Sequence, residues 1–290
     1  MLTRLFIRNL KMFGEAEVEL GSPVVFIGPN NSGKTTALQA LALWKIGLDQ
    51  WQAKRGGKAS PEKRPGVTIN RRDLTSIPVP SANLLWRRTE VRRGLRGIGE
   101  NKTQNIRIEI KVEGISTDRA WACGLEFDFS NEESFVCRPA RLPGFEDKKV
   151  QEAKFSEIPD EALRVQLAYL PPMSGLTTSE PKWELGRIRV LIGEGQTAQV
   201  IRNLCFHVHE AMPSNWERIC GHMDSLFRVR LLPPKYIAER GEITMEYKDA
   251  SGSTLDLASA GRGLLQTLLL LSHLHANPGS VLLLDEPDAH

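Results

Sequence analysis

Residues 28 to 36 read Gly28-Pro29-Asn30-Asn31-Ser32-Gly33-Lys34-Thr35-Thr36, a full match to the pattern GxxxxGK[ST]. Glycines in such a loop let consecutive backbone N–H groups turn inward and form a nest for phosphate oxygens. A helix starting at Lys34 adds the positive end of its dipole. The Lys34 ammonium suits the β- and γ-phosphates, and the Thr35 hydroxyl suits Mg2+. A second able pair, Asp285 and Glu286, ends the apolar run Val281-Leu282-Leu283-Leu284. At the carboxyl end of a buried strand, where α/β folds place their ligands, Asp285 can hold Mg2+ through water. Glu286 can orient an attacking water as general base. A third stretch, Leu257-Ala258-Ser259-Ala260-Gly261-Arg262-Gly263, precedes a leucine-rich segment. Here Ser259 and Gly261 either open a helix N-terminus to a phosphate or make an ordinary cap. Together these residues point to a nucleoside triphosphate and Mg2+.

Those groups need a strand before the loop and a helix after it. Pro23 to Gly28 (PVVFIG) reads as a short buried strand, and helical spacing runs from Thr35 to about Ile46. Upstream, Leu5 and Ile7 and then Ala16, Val18 and Leu20 alternate with polar residues around a Lys11–Gly14 turn, which predicts a hairpin. Asn105 to Val112 and Gly124 to Phe129 alternate as antiparallel strands, and Arg164 to Pro172 reads as a strand stopped by two prolines. Residues 139 to 160 read as a loop. Thr197 to about Met212 reads as a helix, Phe227 to Leu232 and Glu242 to Lys248 as strands. A leucine-packed helix is predicted from Ser259 to about Leu274, ended by Asn277-Pro278-Gly279, before the strand carrying Asp285.

The 290 residues, 41% hydrophobic and 25% charged with 24 Gly and 17 Pro, exclude collagenous and low-complexity classes. No apolar run approaches the roughly 20 residues of a membrane span, and the N-terminus has no signal-peptide core. Four cysteines without a CxxC fit a reducing cytosol, so a cytoplasmic location is expected and no membrane partner. Net charge is +3 but unevenly spread: residues 52 to 107 hold fourteen Lys or Arg against four acids, a local +10. That segregation is the footprint of a polyanion partner or of a solvated insertion.

In combination these motifs resemble the ABC-type ATPase heads of the SMC, RecF and OLD (overcoming-lysogenization-defect) group. The opening RLFIRNLKMFGEAEVEL is similar to that group's first hairpin, GPNNSGKTT to its Walker A, LASAGRG to a degenerate signature motif and LLLDEPDAH to its Walker B. The resemblance implies an α/β fold: a P-loop NTPase of ABC-ATPase head type, with a mixed central sheet, an antiparallel β subdomain and a helical or irregular insertion. It implies a single head over 1–290, with lobe I at about 1–170, the basic insertion at about 48–104, and lobe II at about 171–290. It further implies ATP and Mg2+ as cofactors, and a homodimer that sandwiches ATP with Ser259 and Gly261 of one copy facing the γ-phosphate of the other. Glu286 and Lys34 then act in hydrolysis, Thr35 and Asp285 on the metal. The expected work is on DNA, through 52–107, or on an effector or nuclease partner, in DNA repair or anti-phage defence. The alternatives are a non-hydrolysing regulatory subunit and, with less support, a transporter's nucleotide-binding subunit. The signature is SAGRG rather than LSGGQ, and Gln104 and Gln166 are the candidate Q-loop residues. The sequence stops at His290, directly after Walker B, which leads to the expectation of a truncated chain or one completed by another polypeptide.

Three further features are read as structural. Cys205, His207 and His209, with Cys220 and His222 nearby, do not share one helix face, so no metal site is expected there. The six tryptophans lack the interleaving of a base-stacking platform. Phe13 suits either the core or an adenine ring.

Overall fold

The computed structural model describes residues 1–56, 66–74, 76–77, 79–97, 100–117, 119–144, 152–172 and 179–286. The chain forms two compact units, Met1–Leu167 and Ala168–His290. The first is built on β1 (Leu2–Leu10), β2 (Phe13–Glu19), α1 (Lys34–Arg55), β3 (Val67–Asn70), β4 (Arg92–Gly97), β5 (Glu100–Asn105), β6 (Ile108–Ser116), β7 (Arg119–Asn131), β8 (Ser134–Pro139) and the short α2 (Asp160–Leu163). Its six-stranded sheet has the order β2-β1-β6-β7-β8-β3 and is antiparallel at every pairing. The alternating segments behave as expected: Ile7 sits opposite Ala16 in the hairpin, and Val112 opposite Cys123 between β6 and β7.

Alternation gives this sheet two unlike faces. One presents Leu5, Ile7, Ile110, Val112, Leu125 and Phe127, all at most 1% exposed, to α1. Trp44 of α1 is fully buried, donates its indole N–H to the Cys123 carbonyl at 3.0 Å and stacks on Trp121 at 6.4 Å. The other face carries charge. Glu126 accepts from Arg138 Nε at 2.6 Å and is also paired with Arg141, while Arg138 reaches Asp128. Buried carboxylates persist only when so matched.

Two expectations need correction. Helix α1 runs to Arg55 rather than ending near Ile46, and β3 (Val67–Asn70) pairs with β8 in the large sheet, so these described parts of the expected 48–104 insertion are regular elements of the first unit. A Cβ on Gly47 would stand 3.0 Å from Cys137 Sγ, Leu125 Cδ1 and Phe127 Cε1, so this is a close-approach position inside the helix. Second, Pro23–Gly28 is not a strand: Val25 is 75% and Ile27 93% exposed. A β-branched run becomes a strand only when a neighbour takes its backbone groups, and no described strand pairs with it.

The second unit contains β9 (Leu167–Leu170), α3 (Leu185–Gly193), α4 (Ile201–Ala211), α5 (Pro213–Phe227), β10 (Arg230–Leu231), β11 (Lys235–Ile237), β12 (Glu242–Thr244), β13 (Glu246–Lys248), β14 (Thr254–Asp256), α6 (Arg262–Ala276) and β15 (Val281–Leu284). Its core joins Leu204 and Val208 of α4, Ile219 and Met223 of α5, and Leu265, Leu268 and Leu269 of α6. Pro213 at the first turn and the Trp216, Ile219, Met223 spacing account for α5, whereas Phe227–Leu232 is a helix end followed by the two-residue β10. Fully buried Glu180 accepts from the Arg202 N–H at 3.0 Å and the Asn203 N–H at 2.6 Å, capping α4 from a distance. Arg202, 2% exposed, extends to Asp256 at 3.3 Å. Among the described residues no helix is long and apolar enough to cross a membrane.

His273 of α6 is 4% exposed, and burial lowers its imidazole pKa from 6.5 to about 4. Between those values the unfolded chain holds the extra proton. Stability is therefore at its full value above pH 6.5 and is withdrawn as the pH falls toward 4, by on the order of 3 kcal/mol. His273→Leu should flatten urea-unfolding stability measured from pH 4.5 to 7; a slope equal to that of the wild type refutes this origin.

Candidate nucleotide site

Gly33 is the N-cap of α1 with φ 102° and ψ 3°, a conformation that favours glycine, and Asn31 before it is also left-handed at φ 62°. The turn is closed by the Ser32 N–H on the Pro29 carbonyl at 3.3 Å. The first backbone bond of the helix is Ala37 N–H to the Gly33 carbonyl at 2.9 Å, so the amides of Lys34, Thr35 and Thr36 face the loop rather than the helix ladder. Lys34 Nζ donates to the Gly28 carbonyl at 2.7 Å and to that of Pro29 at 2.9 Å, holding the ammonium across the loop. Thr35 is half-buried and Thr36 buried, while Gly28 through Ser32 are exposed. A Cβ on Gly33 would lie 2.9 Å from Phe13 Cε1 and 3.1 Å from Met12 Sδ, which places the Phe13 ring on the last glycine of the loop.

In the second unit β15 pairs with β9, and Asp285 follows at 7% exposure. The Asp285 N–H donates to the Leu170 carbonyl at 2.9 Å, and Tyr169 Oη donates to Asp285 Oδ2 at 3.0 Å. Burial, then the neighbouring Asp285 and Glu286 charges, push the Tyr169 phenol up, so it stays a donor. Glu286 is exposed and left-handed at φ 46°, a costly conformation for a non-glycine residue that recurs at functional sites. Both acids line a cavity of about 250 Å3 with Gln266, Thr267, Leu170 and Phe227. Tyr169 and Gln266 carry no sequence motif; only the strand end at Pro171-Pro172 marks the neighbourhood of the first. The buried Asp285 carboxylate of the second unit and the Thr35 hydroxyl of the first are each, taken separately, of the hard oxygen type that Mg2+ accepts.

Other expected residues fall as follows. Ser259 is not the cap of α6: its hydroxyl donates to the Asp256 carbonyl at 2.6 Å within a 3-10 turn, and Gly261 is the N-cap. The reason is that Asp256 organises this turn, accepting the Ala258 N–H at 2.7 Å and pushing the helix start to Arg262. Both Ser259 and Gly261 are exposed. Gln104 pairs opposite Arg93 in the β4–β5 hairpin, and Gln166 is exposed ahead of β9. Of the Walker-B-like run, residues 287–290 lie outside the described residues, as do Lys58, Lys63 and Arg64 of the basic segment. Within that segment Lys54 donates to the Thr68 carbonyl at 2.9 Å and Arg71 pairs with Glu133 at 2.9 Å, whereas Arg72, Arg88, Arg92 and Arg93 are exposed. Cys205 lies against Ser272 Oγ at 3.2 Å, and among the described residues no three metal-ligating side chains cluster.

Gly33→Ala should destabilise the first unit by about 1–2 kcal/mol from its left-handed φ alone, with the Phe13 clash added. Adding Phe13→Ala should relieve the clash and leave the backbone cost. Urea unfolding of the single and double variants checks this, and an unaffected single variant refutes the loop geometry.

None of the curated proteins matches the chain. Among solved structures it is similar to an SMC head domain from Thermotoga maritima, at 11% identity over 99% of this chain and 78% of that one, TM-score 0.45. It is also similar to an SmcHead bound to the C-winged helix domain of ScpA, at 13% identity over 95% of this chain and 76% of that one, TM-score 0.42. The sequence family described as AAA domain, one of P-loop ATPases, matches residues 4–162, more than half of the chain, and to that family the chain belongs.

Proposed function

We propose that this chain binds ATP at the Gly28–Thr36 loop and hydrolyses it, using turnover to close and open a pair of heads. The observation that carries this reading is the left-handed Gly33 cap, which turns the first amides of a 22-residue helix and the Lys34 ammonium toward one loop. The backbone N–H groups receive phosphate oxygens, and Lys34 exchanges the Gly28 and Pro29 carbonyls for the β- and γ-phosphates. In this reading Thr35 and Asp285 would hold Mg2+, which would supply charge neutralisation on those phosphates. Glu286 orients the water that attacks the γ-phosphorus and accepts its proton; ADP leaves with inorganic phosphate.

In this reading, which follows the resemblance to SMC, RecF and OLD heads, two copies enclose the nucleotide and Ser259 and Gly261 of one face the γ-phosphate of the other. Bound ATP then favours the closed pair and hydrolysis releases it. The closed state acts on DNA, or on an effector or nuclease partner, in repair or anti-phage defence. Contact with DNA runs through the exposed arginines of 52–107, mainly to phosphates, because that segment has no base-reading motif.

The test of hydrolysis is Glu286→Gln. Turnover should fall by about 10²–10⁴-fold with ATP affinity near that of the wild type. Lys34→Ala, in contrast, should weaken ATP binding by about 10- to 100-fold, the loss of a charge-assisted hydrogen bond. Wild-type turnover in Glu286→Gln removes it as the base, and wild-type affinity in Lys34→Ala removes the loop as the ATP site.

Replacing Arg88, Arg92 and Arg93 with Gln leaves Arg87, whose guanidinium lies against Gly14. This triple variant should bind duplex DNA more weakly whatever the sequence. It should also lose about 0.9 of the log–log salt slope for each phosphate contact removed. Binding equal to that of the wild type takes DNA out of the function.

A further inference from the structure

The carboxylate that follows β15 is gripped at two points by one neighbouring strand. Leu170 of β9 takes the Asp285 backbone N–H at 2.9 Å, and Tyr169, the preceding residue, donates its phenol O–H to Asp285 Oδ2 at 3.0 Å. Adjacent residues of a strand point to opposite faces, so the backbone of one and the side chain of the other fix the Asp285 main chain and its carboxylate together. The terminal torsion of aspartate is broad and roughly two-fold, so its rotamer alone does not fix the carboxylate plane, and a hydrogen bond to one oxygen narrows it. At 7% exposure, bulk water offers little substitute for the lost donor.

We propose that Tyr169 is a positioning residue whose hydroxyl sets the orientation of the Asp285 carboxylate toward a divalent cation. The proposal rests on the reading of Asp285 as a Mg2+ holder. Hydrogen-bond partners of metal-holding carboxylates commonly contribute 10–100-fold in affinity, which sets the size of the effect expected.

Tyr169→Phe keeps the ring and removes only the O–H. Mn2+ binding to the full chain, measured by electron paramagnetic resonance with a non-hydrolysable ATP analogue present, should weaken by about tenfold or more in this variant. Affinity for the analogue in EDTA, and the melting temperature without metal, should equal those of the wild type. Asp285→Asn serves as the reference. If Asp285→Asn loses Mn2+ and Tyr169→Phe does not, the positioning role is overturned while the metal reading stands. If Asp285→Asn binds Mn2+ as the wild type does, the metal reading falls and Tyr169 with it. If Tyr169→Phe loses analogue affinity in EDTA or melts early, the hydroxyl serves the fold alone and the proposal is overturned.

Discussion

Helix α1 meets the six-stranded sheet at its closest through Gly47, a position that has no side chain of its own. Gly47 leaves room for Cys137, Leu125 and Phe127, each 3.0 Å from where a Cβ would be. One turn earlier, Trp44 fills the space beside Trp121 and ties itself to the Cys123 carbonyl. An empty position and a filled one, three residues apart on a single helix face, set both the distance and the rotation of α1. Its N-terminus is carried on the same rigid rod. The amides of Lys34 to Thr36 are delivered to the loop by packing that involves none of the loop's own residues.

The second unit solves a different problem: how to hold an acid at the end of a short strand. β15 has only four residues and one described partner, β9. Such a strand gains little from its ladder alone. Asp285 is instead fixed by bonds from both its backbone and its side chain, and the strain at Glu286, φ 46°, begins where that grip ends. Order and strain lie side by side, as they do where a rigid scaffold presents a residue in an otherwise unfavoured conformation.

Much of this was legible in the order of residues. Period-two alternation marked β1, β2, β6 and β7 because each has one apolar and one charged face, and GPNNSGKTT marked the loop because only certain residue types can make it. What escaped depended on partners distant in the chain. The helical spacing fades near Ile46, and that α1 continues past Gly47 shows only once the sheet beneath it is known. Val24, Val25 and Ile27 look buried because β-branched composition says nothing about whether a neighbour exists. Helix α5 went unread, although the spacing of Trp216, Ile219 and Met223 behind Pro213 carries it. Ser259 has the residue type of a helix cap, yet Asp256 three positions earlier competes for the same turn and displaces it. Tyr169 could not be found at all, since a tyrosine acquires its role only from the carboxylate 116 positions away.

The Glu180 carboxylate accepts from the Arg202 and Asn203 amides and from the Asn203 side chain, and Arg202 passes the connection to Asp256. Glu180 and Arg202 are both out of reach of water, so removing either leaves the other's charge badly matched, whereas Asp256 keeps half its side chain in solvent. In evolutionary terms the first three positions form one heritable character. A neutral residue at 180 leaves the buried Arg202 leaning on Asp256 for its counter-charge, so a change at 180 puts selective pressure on 202 as well. Positions 180, 202 and 203 should therefore drift together or stay put, even though the first two lie 22 positions apart in the chain.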